Sequence, residues 1–186
     1  MMETNTEHKS LNSMTYRQMR LYVDELTPEQ EKKYNKELNL NPIKPKIYEA
    51  TEEDIETIVN LYNKSWLTSN TPFRRLTFEN IKHLYYNPNI SILIAKFYGI
   101  PAGFIILDFE GAKDHYASVL ALAVLPRFQH KGLGRFLGFK AGELFKQRNI
   151  KEIRSEVYVD NYISYKFNQA MGFKEIAVKT YINEKR

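Results

Sequence analysis

The chain has 186 residues, 27 lysines and arginines against 22 acidic residues, a formal charge of +5 and no cysteine. That length suits one domain with an arm, and the missing cysteine excludes disulfides, thiol nucleophiles and thiolate metal sites; no metal is expected. Residues 1–10 are polar and lack a signal-peptide core, and the longest apolar runs, 90–97 and 119–125, are too short to cross a bilayer, so a cytoplasmic protein without membrane contact is expected.

In chain order, residues 1–44 read as an N-terminal extension, helical or partly flexible, and 45–186 as the main domain. Within the extension, 16–26 suits a short helix. A second helix starts at Pro28, with Thr27 as its cap and Gln30 completing a capping box, and runs to about residue 37. Asn41-Pro42-Ile43-Lys44-Pro45 stops it. The main domain opens with a strand at 46–50. Thr51 then caps a helix over 52–64, with Asp54 at its third position and a stripe of Ile55, Ile58, Val59 and Tyr62. An aromatic loop (67–76) and a helix (78–86) follow. Strands at 91–97 and 100–108 are joined by Tyr98-Gly99, and a third strand spans 115–124. A glycine loop leads into a helix (134–148), then a strand (152–158), a helix (163–171) and a last strand (173–181). The order β-α-α-β-β-β-α-β-α-β implies an α/β (α+β) domain, a mixed sheet of about six strands flanked by four helices.

The stretch with the most chemistry is Gln129-His130-Lys131-Gly132-Leu133-Gly134-Arg135, between a buried strand and a helix. Gly132 and Gly134 allow a sharp turn and close backbone approach. First-turn amides lack helical partners and sit at the positive end of the helix dipole, which suits a phosphate. His130, Lys131 and Arg135 add cations around it. The loop is neither a Walker motif, since Arg135 and Phe136 follow Gly134, nor a dinucleotide fingerprint, since Leu137 stands where a third glycine is needed. On these residues alone, an ordinary glycine turn with a solvated basic rim fits as well.

Gln129-x-x-Gly132-x-Gly134, after a strand with Ala123-Val124 and Pro126, resembles the acetyl-CoA signature of the GNAT acetyltransferase superfamily. Asn161-x-x-Ser164-x-x-Phe167-Asn168-x-x-x-Gly172-Phe173 is similar to the family's second block, and the likeness covers residues 46–181. It implies acetyl-CoA as cosubstrate and N-acetyltransferase activity on an amine-bearing small molecule or peptide. The amides of Leu122, Ala123 and Val124 would hold the pantetheine arm and the thioester oxygen. Gln129, His130, Lys131, Gly132, Leu133, Gly134 and Arg135 would cradle the pyrophosphate, and Asn161 would bond the arm.

The chain departs from the family pattern at the catalytic groups. Asn168 stands where the family's tyrosine acid belongs, and an amide cannot supply a proton; Tyr165, Tyr158 and Tyr162 are alternatives. The usual strand glutamate falls near Ser118. Likeness to family members that acetylate peptide N-termini, which use a glutamate five residues before the block's asparagine, makes Glu156 the preferred base, and strand alternation puts it opposite Ser155 and Val157; Asp114 and His115 acting through water are alternatives. Trp66, Phe73, Arg74 and Arg75 suggest a wall for an acidic acceptor. The family's further strand after the last one is missing, which leaves a sheet edge for the N-terminal arm or for a homodimer. An inactive CoA-binding regulatory module is the alternative function, and no nucleic acid is expected as a partner because no nucleic-acid motif is present.

Overall fold

A computed structural model describes residues 13–182 except 26, 43, 67, 68, 70 and 73, and leaves out several side chains of the first helix. The capping role of Gln30 and the wall residue Phe73 lie outside the described residues. The strands are β1 (Ser13–Tyr22), β2 (Lys46–Glu49), β3 (Ile90–Phe97), β4 (Ile100–Asp108), β5 (Tyr116–Val124), β6 (Glu152–Tyr158) and β7 (Lys174–Ile182). The helices are α1 (Pro28–Leu40), α2 (Ile55–Trp66), α3 (Phe78–Tyr85), α4 (Leu133–Gln147) and α5 (Tyr162–Ala170).

Local signals account for most of these boundaries. The Asp54 carboxylate accepts from the Thr51 amide at 3.0 Å and its hydroxyl at 3.2 Å, which starts the turn that leads into α2. Thr77 caps α3 by accepting from the Asn80 amide at 3.3 Å. Tyr98 (φ 49°) and Gly99 (φ 78°) make the β3–β4 hairpin.

One sheet of seven strands, in the order β2-β3-β4-β5-β6-β1-β7, organises the molecule. One face packs on α2 and α3 through Ile55, Ile58, Ile81, Ile94, Phe104 and Ile106, all nearly or fully buried. The other packs on α4 through Leu93, Ile105, Leu107, Leu137, Ala141 and Phe145. Each stripe follows its element's period, so the central strands β3, β4 and β5 divide their apolar residues between the two layers.

The departure from expectation lies at the N-terminus. Residues 16–22, expected to be helical, belong to strand β1, followed by a 3-10 turn over Val23–Glu25. Arg17, Gln18, Met19, Arg20 and Leu21 are good helix formers, but β1 lies antiparallel between β6 and β7 and bonds to both. A slot with two open ladders outweighs the small propensity preference. Met19 is fully buried there. Arg20–Glu152 (2.8 Å) and Arg17–Glu175 (3.0 Å) tie β1 to each neighbour. The arm therefore enters the sheet rather than extending its edge, and supplies the seventh strand; β7, with Lys174, Glu175 and Lys179 along it, becomes the edge. Among the described residues no helix is long and apolar enough to cross a membrane.

Candidate functional site

β5 and β6 are the parallel neighbours of the sheet, and they pair only from Tyr116↔Glu152 to Val119↔Ser155. Beyond that point they part, leaving a notch between 120–124 and 156–158. A register irregularity opposite Ile106/Leu107 passes over Leu120, the bulged residue at the mouth of the notch, half exposed. A cavity of about 1230 Å³ runs through the notch, from the loop before α4 to α2 and β1.

Most of the residues expected to hold a cofactor lie along this cavity. Leu122, Ala123, Val124, Gln129, His130, Gly132, Leu133, Gly134, Arg135 and Asn161 all line the cavity. Gly132 is the N-cap of α4 at φ 81° and offers no side chain to the first-turn amides; His130 is also left-handed, at φ 59°. Gln129 anchors the loop by donating from Nε2 to the Val124 carbonyl at 3.0 Å. Lys131 is outside the lining, and its carbonyl accepts from Asn41 Nδ2 at 3.1 Å, so the segment after α1 touches the loop.

The strand's amides are not equivalent. Leu125 donates to the Ala102 carbonyl at 2.8 Å, and Ala123, two residues earlier, stands opposite Phe104. Ala123 therefore turns its amide to β4, while Leu122 and Val124 turn theirs into the notch. Gly134 has a packing role: a Cβ there would stand 3.2 Å from the Phe167 ring and 3.6 Å from Leu122. Asn161 is heavily engaged. Its Oδ1 accepts from the Ser164 amide at 3.0 Å, capping α5, and its Nδ2 donates to Thr71 Oγ1 at 2.7 Å.

The other half is aromatic. Glu156 lies on the face opposite buried Ser155 and Val157, as alternation requires, and lines the cavity. Its carboxylate accepts from Tyr181 Oη at 2.5 Å. Tyr16 of β1 sits edge-on between Tyr158 (5.7 Å) and Tyr181 (5.8 Å). Across from them Tyr62 stacks on Trp66 at 4.6 Å. Burial, then the Glu156 charge, raises the Tyr16 hydroxyl above the ordinary tyrosine value. Burial, then Tyr16, does the same to Tyr62; at Tyr181 the hydrogen bond to Glu156 comes first. These hydroxyls stay protonated and can donate at neutral pH.

Some expected residues fall elsewhere. Asn168 lines the cavity, with Nδ2 donating to the Ser164 carbonyl at 2.9 Å. Tyr165 is outside the lining: the Arg17 guanidinium covers its ring at 4.7 Å and Gln169 donates to its hydroxyl. Asp114 and His115 precede β5 at the end remote from the notch, where His115 Nδ1 lies 3.1 Å from the Asn149 carbonyl, so neither reaches the cavity. Arg74 and Arg75 are exposed and do not line it, whereas Trp66 does. Sequence reasoning did not single out Tyr16 and Ser65, which line the cavity, or Tyr181, which bonds Glu156.

The sequence model described as "Acetyltransferase (GNAT) family" matches residues 55–173. A spermidine N(1)-acetyltransferase of Thermoplasma acidophilum is 26% identical over 140 residues, which are 66% of this chain and 83% of that protein. The PaiA N-acetyltransferase of T. acidophilum, solved in complex with coenzyme A, superposes with a TM-score of 0.60 at 25% identity, over 74% of this chain and 99% of that one. The aminoglycoside N-acetyltransferase AAC(6')-Iy, solved with CoA, shares the fold with a TM-score of 0.62 at 18% identity, over 79% and 98%.

Proposed function

The chain belongs to the Acetyltransferase (GNAT) family and is an N-acetyltransferase, and from that premise we propose that it moves an acetyl group from acetyl-CoA to a primary amine by direct attack. The observation that carries this reading is the notch itself: two notch-facing strand amides and a helix start with no side-chain cap on one side, and the Glu156 carboxylate on the other. The residues present fit the cosubstrate. The first turn of α4, with His130 and Arg135 at its rim, suits a diphosphate, and the gap between β5 and β6 suits an extended pantetheine arm.

Acetyl-CoA, when bound, supplies an activated thioester carbonyl. One of the notch-facing amides, of Leu122 or Val124, donates to its oxygen as negative charge grows there, and the other, a strand repeat of roughly 6.6 Å away, donates to the pantetheine arm. Glu156 accepts the proton from the attacking nitrogen, held in place by the Tyr181 hydroxyl. The N–C bond forms, the C–S bond breaks, and the thiolate takes its proton from water, since a thiol pKa of about 8.5 makes it a tolerable leaving group. Asn168 keeps one amide hydrogen for the sulfur and supplies no proton. Acceptors of the relatives include spermidine and aminoglycosides by name, consistent with an amine-bearing small molecule here.

Calorimetry with CoA and turnover on an amine panel test the reading. Glu156→Gln is expected to lower kcat by about 100-fold or more while CoA affinity is kept. An unchanged kcat removes Glu156 as the base. Tight CoA binding with no turnover on any amine favours a regulatory CoA-binding module instead.

A further inference from the structure

One wall of the acceptor end of the cavity comes from a segment outside the family match. Residues 55–173 carry the match, whereas Tyr16 on β1 and Tyr181 on β7 lie before and after it. The two rings meet edge-on, and the Tyr181 hydroxyl donates to Glu156. Resting on the acetyltransferase reading, we propose that Tyr16 is a specificity-determining residue, and that it selects an aliphatic amine carrying a second positive charge.

Three observations converge on a dication. The first is charge separation. The lysine and arginine lining the cavity, Arg135 and Lys146, both belong to α4, where the one lining carboxylate, Glu143, is paired with Lys140 at 2.6 Å, while the carboxylates Glu156 and Asp160 come from β6 and the loop after it. The second is the wall itself. Tyr16, Tyr62, Trp66 and Tyr158 line that end, and ring faces attract alkylammonium groups while accepting methylene chains. A neighbouring ring behind the wall already holds a cation: the Lys179 ammonium stands 4.6 Å from the centroid of Tyr181, which meets Tyr16 edge-on. The third is an orphan. Ser65, on α2 between Tyr62 and Trp66, lines the cavity, is only 7% exposed, and its hydroxyl has no hydrogen-bond partner among the described residues. A buried hydroxyl oxygen left open costs free energy until an N–H donor meets it.

Glu156 is assigned to the reacting nitrogen. The second ammonium of the acceptor then lies among the rings, donating to Ser65 Oγ. Tyr16 reaches this place only because β1 is inserted beside β6, with Tyr16 opposite Tyr158 in the register. The N-terminal strand is thus part of the acceptor site as well as of the sheet.

The test compares 1,4-diaminobutane with butylamine, which share a chain length and differ by one charge. The full-length protein is expected to favour the diamine by about tenfold in kcat/KM. Tyr16→Leu is expected to bring that ratio below about threefold, chiefly by raising KM for the diamine, while Tyr16→Phe, which keeps the ring, retains it. Ser65→Ala, which deletes a single oxygen, is expected to lower the ratio as well, and decides on the same criterion if Tyr16→Leu does not fold. Equal kcat/KM for the two amines overturns the inference, as does a preference that Tyr16→Leu leaves intact. Absence of turnover on both amines and on the wider panel, with CoA bound, instead overturns the acetyltransferase reading.

Discussion

Met19→Ala measures how firmly the N-terminal strand is built into the sheet. Met19 is fully buried, facing Ser155 on β6 and Glu175 on β7 in the register. The substitution removes three heavy atoms, worth about 0.8 kcal/mol each or roughly 2.4 kcal/mol of transfer free energy. The unfilled cavity adds to that, for a total within the range of about 2–5 kcal/mol seen for such truncations. In a chain of this size each kcal/mol lowers Tm by about 2–4 °C, so a fall of roughly 5–15 °C is expected in a thermal scan, with a matching drop in the urea midpoint. Leu40→Ala is the control: Leu40, at the end of α1, is 71% exposed, and its loss is expected to change stability by less than about 0.5 kcal/mol. A Met19→Ala midpoint within 1 °C of the parent, on the order of the control's small effect, refutes the insertion of β1 and with it the route that brings Tyr16 to Glu156.

Gly132→Ala puts a Cβ on a residue at φ 81° and 2.6 Å from Asn41 Nδ2; backbone strain of about 1 kcal/mol and a CoA affinity reduced by roughly tenfold are expected, read by calorimetry. Gly103→Ala acts on the notch from the other side of β5: its Cβ would meet the Ala123 carbonyl oxygen at 2.7 Å, so β4 and β5 must separate. A cost of about 1–3 kcal/mol is expected, with a rise in KM for acetyl-CoA, and unchanged kinetics would show that β5 can shift freely. Tyr16 and Tyr62 have folded-state values raised from 10.0, chiefly by burial. Their neutral forms are favoured by folding, so that stability is complete below pH 10 and is lost as pH climbs through the raised values. An absorbance titration of tyrosinate is expected to show late-ionising groups that vanish on unfolding in urea.

Element order from β2 onward was legible because its signals are local. Thr51 with Asp54, Thr77 before α3, and Tyr98-Gly99 each act within a few residues. Gly132 and the uncapped start of α4 are likewise properties of one short segment. Strand alternation alone sufficed to separate Glu156 from Ser155 and Val157. The acceptor half was not legible in this way. Residues 16–22 carry helix-forming side chains, and nothing near them announces the slot they enter. Tyr165 has the helical spacing of a cavity residue, yet Arg17, from that same inserted strand, covers its ring. Arg74 and Arg75 suggested an acidic acceptor, but both are exposed and stand outside the cavity lining.

Sequence by itself determined where the backbone turns, which faces are apolar, and that a helix begins with bare amides beside a cluster of cations, because φ preferences, side-chain period and peptide dipoles are set within a turn or two of chain. Only the tertiary structure decided which tyrosine stands by Glu156. Tyr16, Glu156 and Tyr181 meet through ladder bonds among β6, β1 and β7, and that pairing depends on an open slot in a sheet assembled from distant parts of the chain. No local preference of residues 13–22 contains that information.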